Sequence, residues 1–295
     1  MFAGVPWGSV AALATALCWS FAVVLFKLSG KGIPPFGLNF FKNALALPLL
    51  IVTSLAWPAE QGLSLYEIGA LALSGAIGIG LADTLMFRSL NLLGAGRSAI
   101  VDCTYGPLVV LLSMGMLGER LSAGDALGAT MVVLAVLLVG LRPGEGWGDA
   151  AELAQGIALG VIAMALMAVA IVAVTPILRT GDVLLCTTTR MFGGVASLSV
   201  VAALHEGARS EVRAALTPQP AWRYAIPGSF IGAYVALVLW IAGFKYGDAG
   251  VAAILNQTST PMIVVLAAVW LREPTPWRSW AAVGVAFAGS LLVLL

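Results

Sequence analysis

Four ionisable side chains lie within stretches of the sequence that are otherwise apolar: Lys42, Asp83, Asp102 and Arg190. A charge at the centre of a membrane-spanning helix costs at least about 2.5–3.5 kcal/mol, so each of these residues needs a function or a partner. Two acids and two bases can neutralise one another, or they can bind a polar ligand. The four side chains therefore predict a site for small polar compounds within a membrane.

Asp102 is the strongest of these candidates because a proline follows it closely. Pro107 lies five residues after Asp102, and in a second, similar segment Pro261 lies five residues after Asn256. Proline has no N–H, so each ring leaves the carbonyl four residues earlier without its helical donor. Such backbone is tolerated at membrane depth only where it faces protein or a water-filled cavity. Two helices broken at equivalent places predict a transport site between them.

Further polar side chains beside the two breaks complete the predicted site. The residues that we expect to bind substrate on these two helices are Asp102, Asn256, Gln257 and Thr104. Pro107 and Pro261 are expected to allow the helices to bend. An alternative for the aspartate is a buried ion pair with Lys42, Arg97 or Arg190, which would only stabilise the bundle.

Lys42 and Arg190 are candidates for binding the carboxylate or phosphate of an anionic substrate. Arginine suits a planar, bidentate partner, whereas lysine acts as a point charge. The alternative is that both side chains extend along their helices and place their charges at the membrane interface. Asp83 has Leu237 at the equivalent place of the second segment, and this asymmetry predicts a specific role such as proton coupling. A hydrogen bond to Thr84 would explain the carboxyl nearly as well.

Two tryptophans and two glutamates carry further predictions. Trp19 and Trp240 lie inside apolar stretches; we expect Trp19 to line a cavity and stack on a substrate, and Trp240 to pack. Glu119 and Glu273 follow apolar stretches, and each is expected to bind the N–H groups that open the next helix. The three cysteines are not spaced for a metal site or a disulfide framework. We therefore expect no metal and no cofactor.

An internal repeat organises the chain. The segment 95–141 occurs again at 249–295, with a constant offset of 154 residues (249 minus 95). Identical residues at equivalent places include the pairs Ala95 and Ala249, Gly96 and Gly250, Pro107 and Pro261, and Glu119 and Glu273. A duplicated hydrophobic unit of this size is typical of transporters built from internal repeats.

The composition predicts a membrane protein. The chain is 60% hydrophobic and 10% charged, whereas about a quarter of the residues in a soluble domain are charged. Ten apolar stretches are long enough to span a bilayer as helices, and none shows the alternation of a membrane β-barrel. They lie at about 8–29, 36–57, 65–87, 95–117, 123–141, 155–178, 183–204, 224–244, 249–271 and 278–295.

Ten spans divide into two halves of five, which fold alike only if the second half enters the membrane from the opposite side. We therefore predict an all-α polytopic membrane protein with ten transmembrane helices in two inverted five-helix repeats. The first repeat is 1–145, a polar linker is 146–154, and the second repeat is 155–295. Lysine and arginine in the connections place both termini outside by the positive-inside rule.

Several motifs resemble the EamA-type members of the drug/metabolite transporter superfamily. Ala16-Leu-Cys-Trp19-Ser is similar to the start of the first helix of that family. Leu90-Asn-Leu-Leu-Gly-Ala-Gly-Arg-Ser-Ala99, with Pro107 after it, is similar to the family's turn between helices 3 and 4 and its mid-helix proline. Leu117-Gly-Glu-Arg-Leu121 is similar to its helix-ending Gly-Glu.

The resemblance covers nearly the whole chain and implies a ten-helix carrier with a central cavity between helices 1–4 and 6–9. It implies transport of small metabolites, amino acids or drugs by alternating access. We therefore expect a secondary active transporter, an exporter, of a small metabolite such as an amino acid or a related polar or amphipathic compound. Two departures are Lys42, where the family often has arginine, and Arg272, where glycine is usual. The family expectation places the termini in the cytoplasm, against the charge count, and both orientations stay open.

The expected partners are a small-molecule substrate, the lipid bilayer of the cell (inner) membrane and, as a coupling ion, protons. Nothing predicts binding to nucleic acid, and a homodimer stays open. An enzyme is not expected, because the sequence has no HExxH, no G-x-S-x-G and no histidine in an apolar stretch. The alternatives to a carrier are a passive membrane channel and a membrane-embedded enzyme or sensor.

Overall fold

The computed structural model describes residues 7–120, 150–273 and 277–292, together with 122–124, 126–128, 130–131 and 134. Within these residues the chain is folded into helices that short turns connect. The predicted span at 123–141 lies mostly outside the described residues, as do 146–149 of the predicted linker.

Eight of the helices are long and apolar enough to cross a membrane. They are α1 (Trp7–Ser29), α2 (Pro35–Ala56), α3 (Leu65–Leu93), α4 (Ala95–Leu117), α5 (Ala150–Val172), α7 (Val183–Leu204), α9 (Trp222–Tyr246) and α10 (Ala249–Leu271). Three shorter helices are α6 (Thr175–Thr180), α8 (Glu206–Leu216) and α11 (Trp277–Leu292). The prediction of an all-helical membrane protein is confirmed: each of the nine other predicted spans coincides with a helix, and the residues described within 123–134 are helical as well.

Short sequence signals fix where several helices begin. Ser64 caps α3, where its hydroxyl oxygen accepts a hydrogen bond from the Glu67 N–H and the Glu67 carboxylate accepts one from the Ser64 N–H. Asp182 caps α7 by accepting from the Leu185 N–H at 2.9 Å. Both caps satisfy N–H groups that have no partner within the helix itself.

The helices α4 and α10 are each interrupted near the middle, as their prolines predict. The first part of α4 ends at Asp102 and the second begins at Tyr105, whereas α10 is interrupted between Asn256 and Ser259. At both interruptions N–H groups donate to carbonyls three residues back rather than four. The predicted helix breaks are therefore confirmed at equivalent places of the two repeats.

Glycines set the closest helix crossing, between α3 and α7. A Cβ atom at Gly75 would collide with the backbone of Arg190, and a Cβ atom at Gly193 would collide with the backbone of Ala72. Small residues allow such approach in membranes, where packing and hydrogen bonds rather than hydrophobicity hold helices together. This crossing brings Arg190 of α7 against the middle of α3.

Wide π-helical turns occupy equivalent places in α3 and α9. They comprise Ala76–Ala82 and Ser229–Ala236, which the offset of the repeat relates to one another. A π turn inserts one residue into an α-helix and is common at functional sites. Nothing in the hydrophobic pattern predicts these turns.

We expect Gly75→Ala to destabilise the protein by about 1–3 kcal/mol, the usual cost of forcing atoms into a packed interface. The measurement is the midpoint of thermal unfolding in detergent. Gly69→Ala in the same helix is the matched control, because no atom lies within 4 Å of the Cβ that it would add. Equal midpoints for the two variants would contradict the glycine argument.

Candidate functional site

A cavity of about 150 Å³ lies between the two repeats. Its polar lining residues are Thr15, Lys42, Asn43, Asp83, Asp102, Tyr105, Asn256, Gln257, Ser259 and Thr260. The larger apolar lining residues are Trp19, Ile79, Met86, Met164, Met167, Leu237, Trp240 and Ile263. The polar lining thus comes mainly from α2, α3 and the two interrupted helices, and the rest of the wall is mostly apolar. An apolar cavity of this volume holds a molecule about as large as benzene.

Asp102 and Asn256 face the cavity from the two interrupted helices, as predicted. Within the described part of the chain, Oδ1 of Asp102 and both amide atoms of Asn256 are buried without a hydrogen-bond partner. The hydroxyl of Tyr105, one turn after Asp102, is also buried without a hydrogen-bond partner among these residues. Leaving a buried polar atom unpaired costs about 1–3 kcal/mol. All three residues line one cavity, and a polar molecule bound there would explain their unpaired atoms.

Lys42 and Asp83 form an ion pair with each other, 2.6 Å from Nζ to Oδ2. Both side chains are buried and both line the cavity. The proposed alternatives for these residues are wrong: Lys42 does not extend to the interface, and Asp83 is not bound by Thr84. The alternative of an ion pair between Lys42 and Asp102 is not seen among the described residues, since Lys42 pairs with Asp83. Both charges lie at membrane depth, where a charge without a partner is costly, and the ion pair supplies each with its partner.

A hydrogen-bonded cluster on α2 supports the Asp83 side of this pair. Asn39 donates to the carbonyls of Ile79 and Gly80 at 2.8 and 3.1 Å and to the Thr84 hydroxyl at 2.9 Å. Thr84 in turn donates to the Gly80 carbonyl at 2.7 Å. These bonds satisfy the backbone of the wide turn in α3, which otherwise presents unpaired carbonyls. These hydrogen bonds fix the turn against α2, and Asp83 is the residue that directly follows the turn.

Arg190 is buried behind the cavity wall rather than at the cavity itself. It is 1% exposed, and within the described residues none of its guanidinium nitrogens has a hydrogen-bond partner. The guanidinium carbon lies 5.2 Å from the centre of the Trp240 ring, which lines the cavity. A cation over an indole face is stabilised by the ring quadrupole. The alternative that Arg190 reaches the interface is therefore wrong, and the Trp240 side chain separates the predicted binding residue Arg190 from the cavity.

Other predicted residues divide between the cavity and its surroundings. Trp19 and Gln257 line it, and so does Trp240, which was expected only to pack. Thr104 is not among the lining residues, because its hydroxyl turns back to the Val101 carbonyl at 2.9 Å. The Gln257 carbonyl, expected to be free, accepts from the Thr260 N–H at 3.0 Å, since the chain tightens to a shorter hydrogen bond there. Pro107 is also outside the lining.

Some lining residues were missed by the sequence analysis. Tyr105 lies three residues after Asp102, a spacing that places two side chains on one helix face, so this signal was available. Met86 lies three residues after Asp83 in the same way, and Met164 and Met167 show the same spacing within α5. Methionine is flexible and polarisable, so such residues adapt to ligands of varied shape.

Glu119 and Glu273 bind the ends of helices, as predicted for carboxylates at these positions. Glu273 accepts from the N–H groups of Ala95 and Gly96, at the start of α4, at 2.9 and 3.0 Å. Glu119 accepts from the N–H groups that open α10. Each glutamate thus caps a helix of the opposite repeat, a partner that the sequence analysis did not name. The C-terminal end of each helix meets the N-terminal end of the other, so α4 and α10 run antiparallel.

A model of the EamA-like transporter family matches the chain at residues 6–141 and again at 154–295. The chain belongs to the EamA-like transporter family. The resemblance seen in the motifs is thereby confirmed, and the protein is a multi-pass membrane transporter of the drug/metabolite transporter superfamily.

Solved structures support the fold of this EamA-like transporter. One crystal structure aligns over 97% of this chain and 96% of its own, with a TM-score of 0.71 and 20% sequence identity. At that identity the likeness establishes the fold alone. None of the curated protein sequences matches the chain significantly.

Lys42→Met is expected to destabilise the transporter by about 3–5 kcal/mol, because it leaves the Asp83 carboxylate buried without a partner. The double variant Lys42→Met/Asp83→Leu removes both charges and copies the leucine at the equivalent position 237. We expect it to recover most of the lost stability. Thermal unfolding in detergent measures both, and a double variant no more stable than the single one would contradict the pairing argument.

Proposed function

We propose that the protein is a secondary active transporter that exports a small polar or amphipathic metabolite, such as an amino acid, across the cell (inner) membrane. The observation that carries this proposal is the set of unpaired polar atoms of Asp102 and Asn256 at one cavity. These atoms lie on the two helices that are broken at equivalent places. Discontinuous helices at a repeat interface are where transporters bind their substrates. Export, as the direction of transport, is part of the proposal, and similarity to the family is its only support.

The cavity supports an amphipathic substrate of modest size. Asp102 presents a carboxylate that can accept hydrogen bonds from an ammonium or hydroxyl group. Asn256 offers both a donor and an acceptor, and the Tyr105 hydroxyl adds another group of either kind. Trp19 and Met164 contribute to a wall that suits an apolar side chain. An amino acid combines these features within the available volume.

Arg190 is proposed to bind the anionic group of the substrate at a later stage of the cycle. A buried guanidinium without hydrogen bonds is costly, and a carboxylate fits its fork of donors in a bidentate way. Trp240 lies between the cavity and this cation. A rotation of the indole would therefore bring the substrate carboxylate within reach of Arg190. Thr104 remains a candidate for the same later stage.

Protons are proposed as the coupling ion, with Asp83 as the coupling residue. Its carboxylate holds Lys42 at 2.6 Å in the cavity wall. A proton on Asp83 would weaken this pair and so change the charge that the cavity wall presents to a substrate. Substrate affinity would then depend on whether Asp83 holds a proton, which couples the two transport processes.

The first experiment is counterflow into proteoliposomes with labelled amino acids in one pool and labelled anionic metabolites in another, each with and without a pH gradient. Saturable exchange of one pool would establish a carrier for that class. Flux that neither saturates nor responds to a counter-substrate would instead indicate a channel, and no exchange would favour the enzyme or sensor alternatives.

Asp102→Asn is expected to raise the half-saturation concentration for the exchanged pool by about tenfold or more. The reason is that a hydrogen bond to a charged group contributes about 1.5–3 kcal/mol to binding. Counterflow at increasing substrate concentration measures the change. Ser113→Ala on the same helix is the matched control, since that hydroxyl bonds the Val110 carbonyl away from the cavity. Unchanged affinity together with an unchanged pH dependence in Asp102→Asn would exclude a central role for Asp102.

Asp83→Asn is expected to abolish the stimulation of transport by a pH gradient while exchange without a gradient continues. Asparagine retains the shape of the side chain but cannot take up the coupling proton. Uptake with and without the gradient, compared as a ratio between variant and wild type, measures this loss. A ratio equal to that of the wild type would show that the coupling proton binds elsewhere.

A further inference from the structure

Helices α4 and α10 are tied together at both ends by the same chemical device. At one end the Glu273 carboxylate accepts hydrogen bonds from the N–H groups of Ala95 and Gly96; we name this set the Glu273 clasp. At the other end the Glu119 carboxylate accepts from the N–H groups of Ala249 and Gly250; we name this set the Glu119 clasp. Because the helices run antiparallel, the clasps lie at opposite ends of the pair, about 34 Å apart for helices of this length.

The turn that precedes each glutamate has the same geometry in both repeats. Gly118 and Arg272 adopt a left-handed conformation with φ of 70° and 53°. The N–H of Glu119 then donates to the Ser113 carbonyl and that of Glu273 to the Ala267 carbonyl, at 3.4 and 3.1 Å. This six-residue closure ends the helix and points the glutamate at the opposite repeat. Arg272 keeps the turn although a side chain there is strained.

Each clasp satisfies a helix end that has no cap of its own. Neither Gly94 before α4 nor Asp248 before α10 makes a side-chain hydrogen bond to the opening N–H groups. A carboxylate at a helix N-terminus is stabilised both by these donors and by the helix dipole. The two helices that carry Asp102 and Asn256 are therefore held together by two interactions that each cross from one repeat to the other.

The two clasps differ in how tightly they are closed. The Glu273 clasp has distances of 2.9 and 3.0 Å, whereas the Glu119 clasp has distances of 3.4 and 3.5 Å. Oε1 of Glu119 also accepts from Nη2 of Arg179 at 2.7 Å. The end held by Glu273 is thus firmly joined, and the end held by Glu119 is stretched, with its carboxylate shared between two partners. Hydrogen bonds near 3.5 Å contribute little.

We propose that the two clasps are the opposing gates of the cavity and that transport opens them alternately. In the structure described here the Glu273 clasp is closed and the Glu119 clasp is partly released toward Arg179. In the opposite state the Glu119 clasp closes and the Glu273 clasp opens, which moves the ends of α4 and α10 apart on the other side of the membrane. This inference rests on the proposal that the cavity is a transport site.

The test measures from which side the cavity can be reached, without any substrate. Cys18, Cys103 and Cys186 are replaced by alanine, and Ala233→Cys, on the cavity wall, provides the single reporter. An impermeant maleimide is added to right-side-out and to inverted membrane vesicles, and the labelling rate is compared between the two.

Glu119→Gln and Glu273→Gln are expected to shift labelling toward opposite sides. Each loses the charge that its helix N-terminus stabilises, so the rate from its own side should rise by about two- to fivefold. Arg179→Gln removes the competitor of the Glu119 clasp and should shift labelling in the same direction as Glu273→Gln. This third variant leaves both glutamates intact and keeps the test informative if either glutamate variant folds poorly.

Glu211→Gln is the matched control, because Glu211 also caps a helix start, accepting from the Phe36 N–H at 2.9 Å, but does not join α4 to α10. It should leave the labelling ratio unchanged. Shifts of Glu119→Gln and Glu273→Gln to the same side, or a lack of shift in all three variants, would overturn the proposal. Saturable counterflow with unshifted labelling would reject the gates and retain the carrier. Opposite shifts without exchange of either pool would support the gates and reject amino acids and anionic metabolites as the substrate.

Discussion

The absence of water in the hydrocarbon of a bilayer is the constraint on which this structure depends. Every polar group at membrane depth must find a partner within the protein or face a cavity. Lys42 and Asp83 meet the requirement with each other, and Asn39 meets it for the wide turn of α3. Asp102 and Asn256 do not meet it within the described residues. The division between satisfied and unsatisfied groups separates the supporting framework from the part that can bind a molecule.

Much of the fold can be predicted from the sequence because helical membrane spans carry a strong local signal. The apolar stretches give the helices, and Pro107 and Pro261 give the interruptions, since a missing N–H is a local chemical fact. The repeat makes the inverted relation of α4 and α10 predictable as well. The partner of a residue that caps a helix end is harder to predict. Glu119 caps α10, a helix of the opposite repeat, because packing between repeats decides which N–H groups are near.

The site is predictable in its residues and less so in its pairings. The cavity lining includes the predicted residues Trp19, Lys42, Asp83, Asp102 and Asn256. For the last four the reason is general, since an ionisable or amide group within an apolar span has few other places to lie. Which acid binds which base depends on contacts between helices far apart in the chain, which the sequence does not encode locally. The burial of the Arg190 guanidinium behind Trp240 likewise follows from the glycine crossing of α3 and α7.

The π turns of α3 and α9 change how the duplicated unit presents its side chains. One additional residue in a helix rotates every later residue by about 100° relative to the residues before it. In α3 the first position after this rotation is Asp83, and in α9 it is Leu237; both line the cavity. The same backbone irregularity therefore aims a charge inward in one half and an aliphatic surface inward in the other. A symmetric scaffold thus encloses a chemically one-sided chamber, in which a ligand with distinct ends has a preferred orientation.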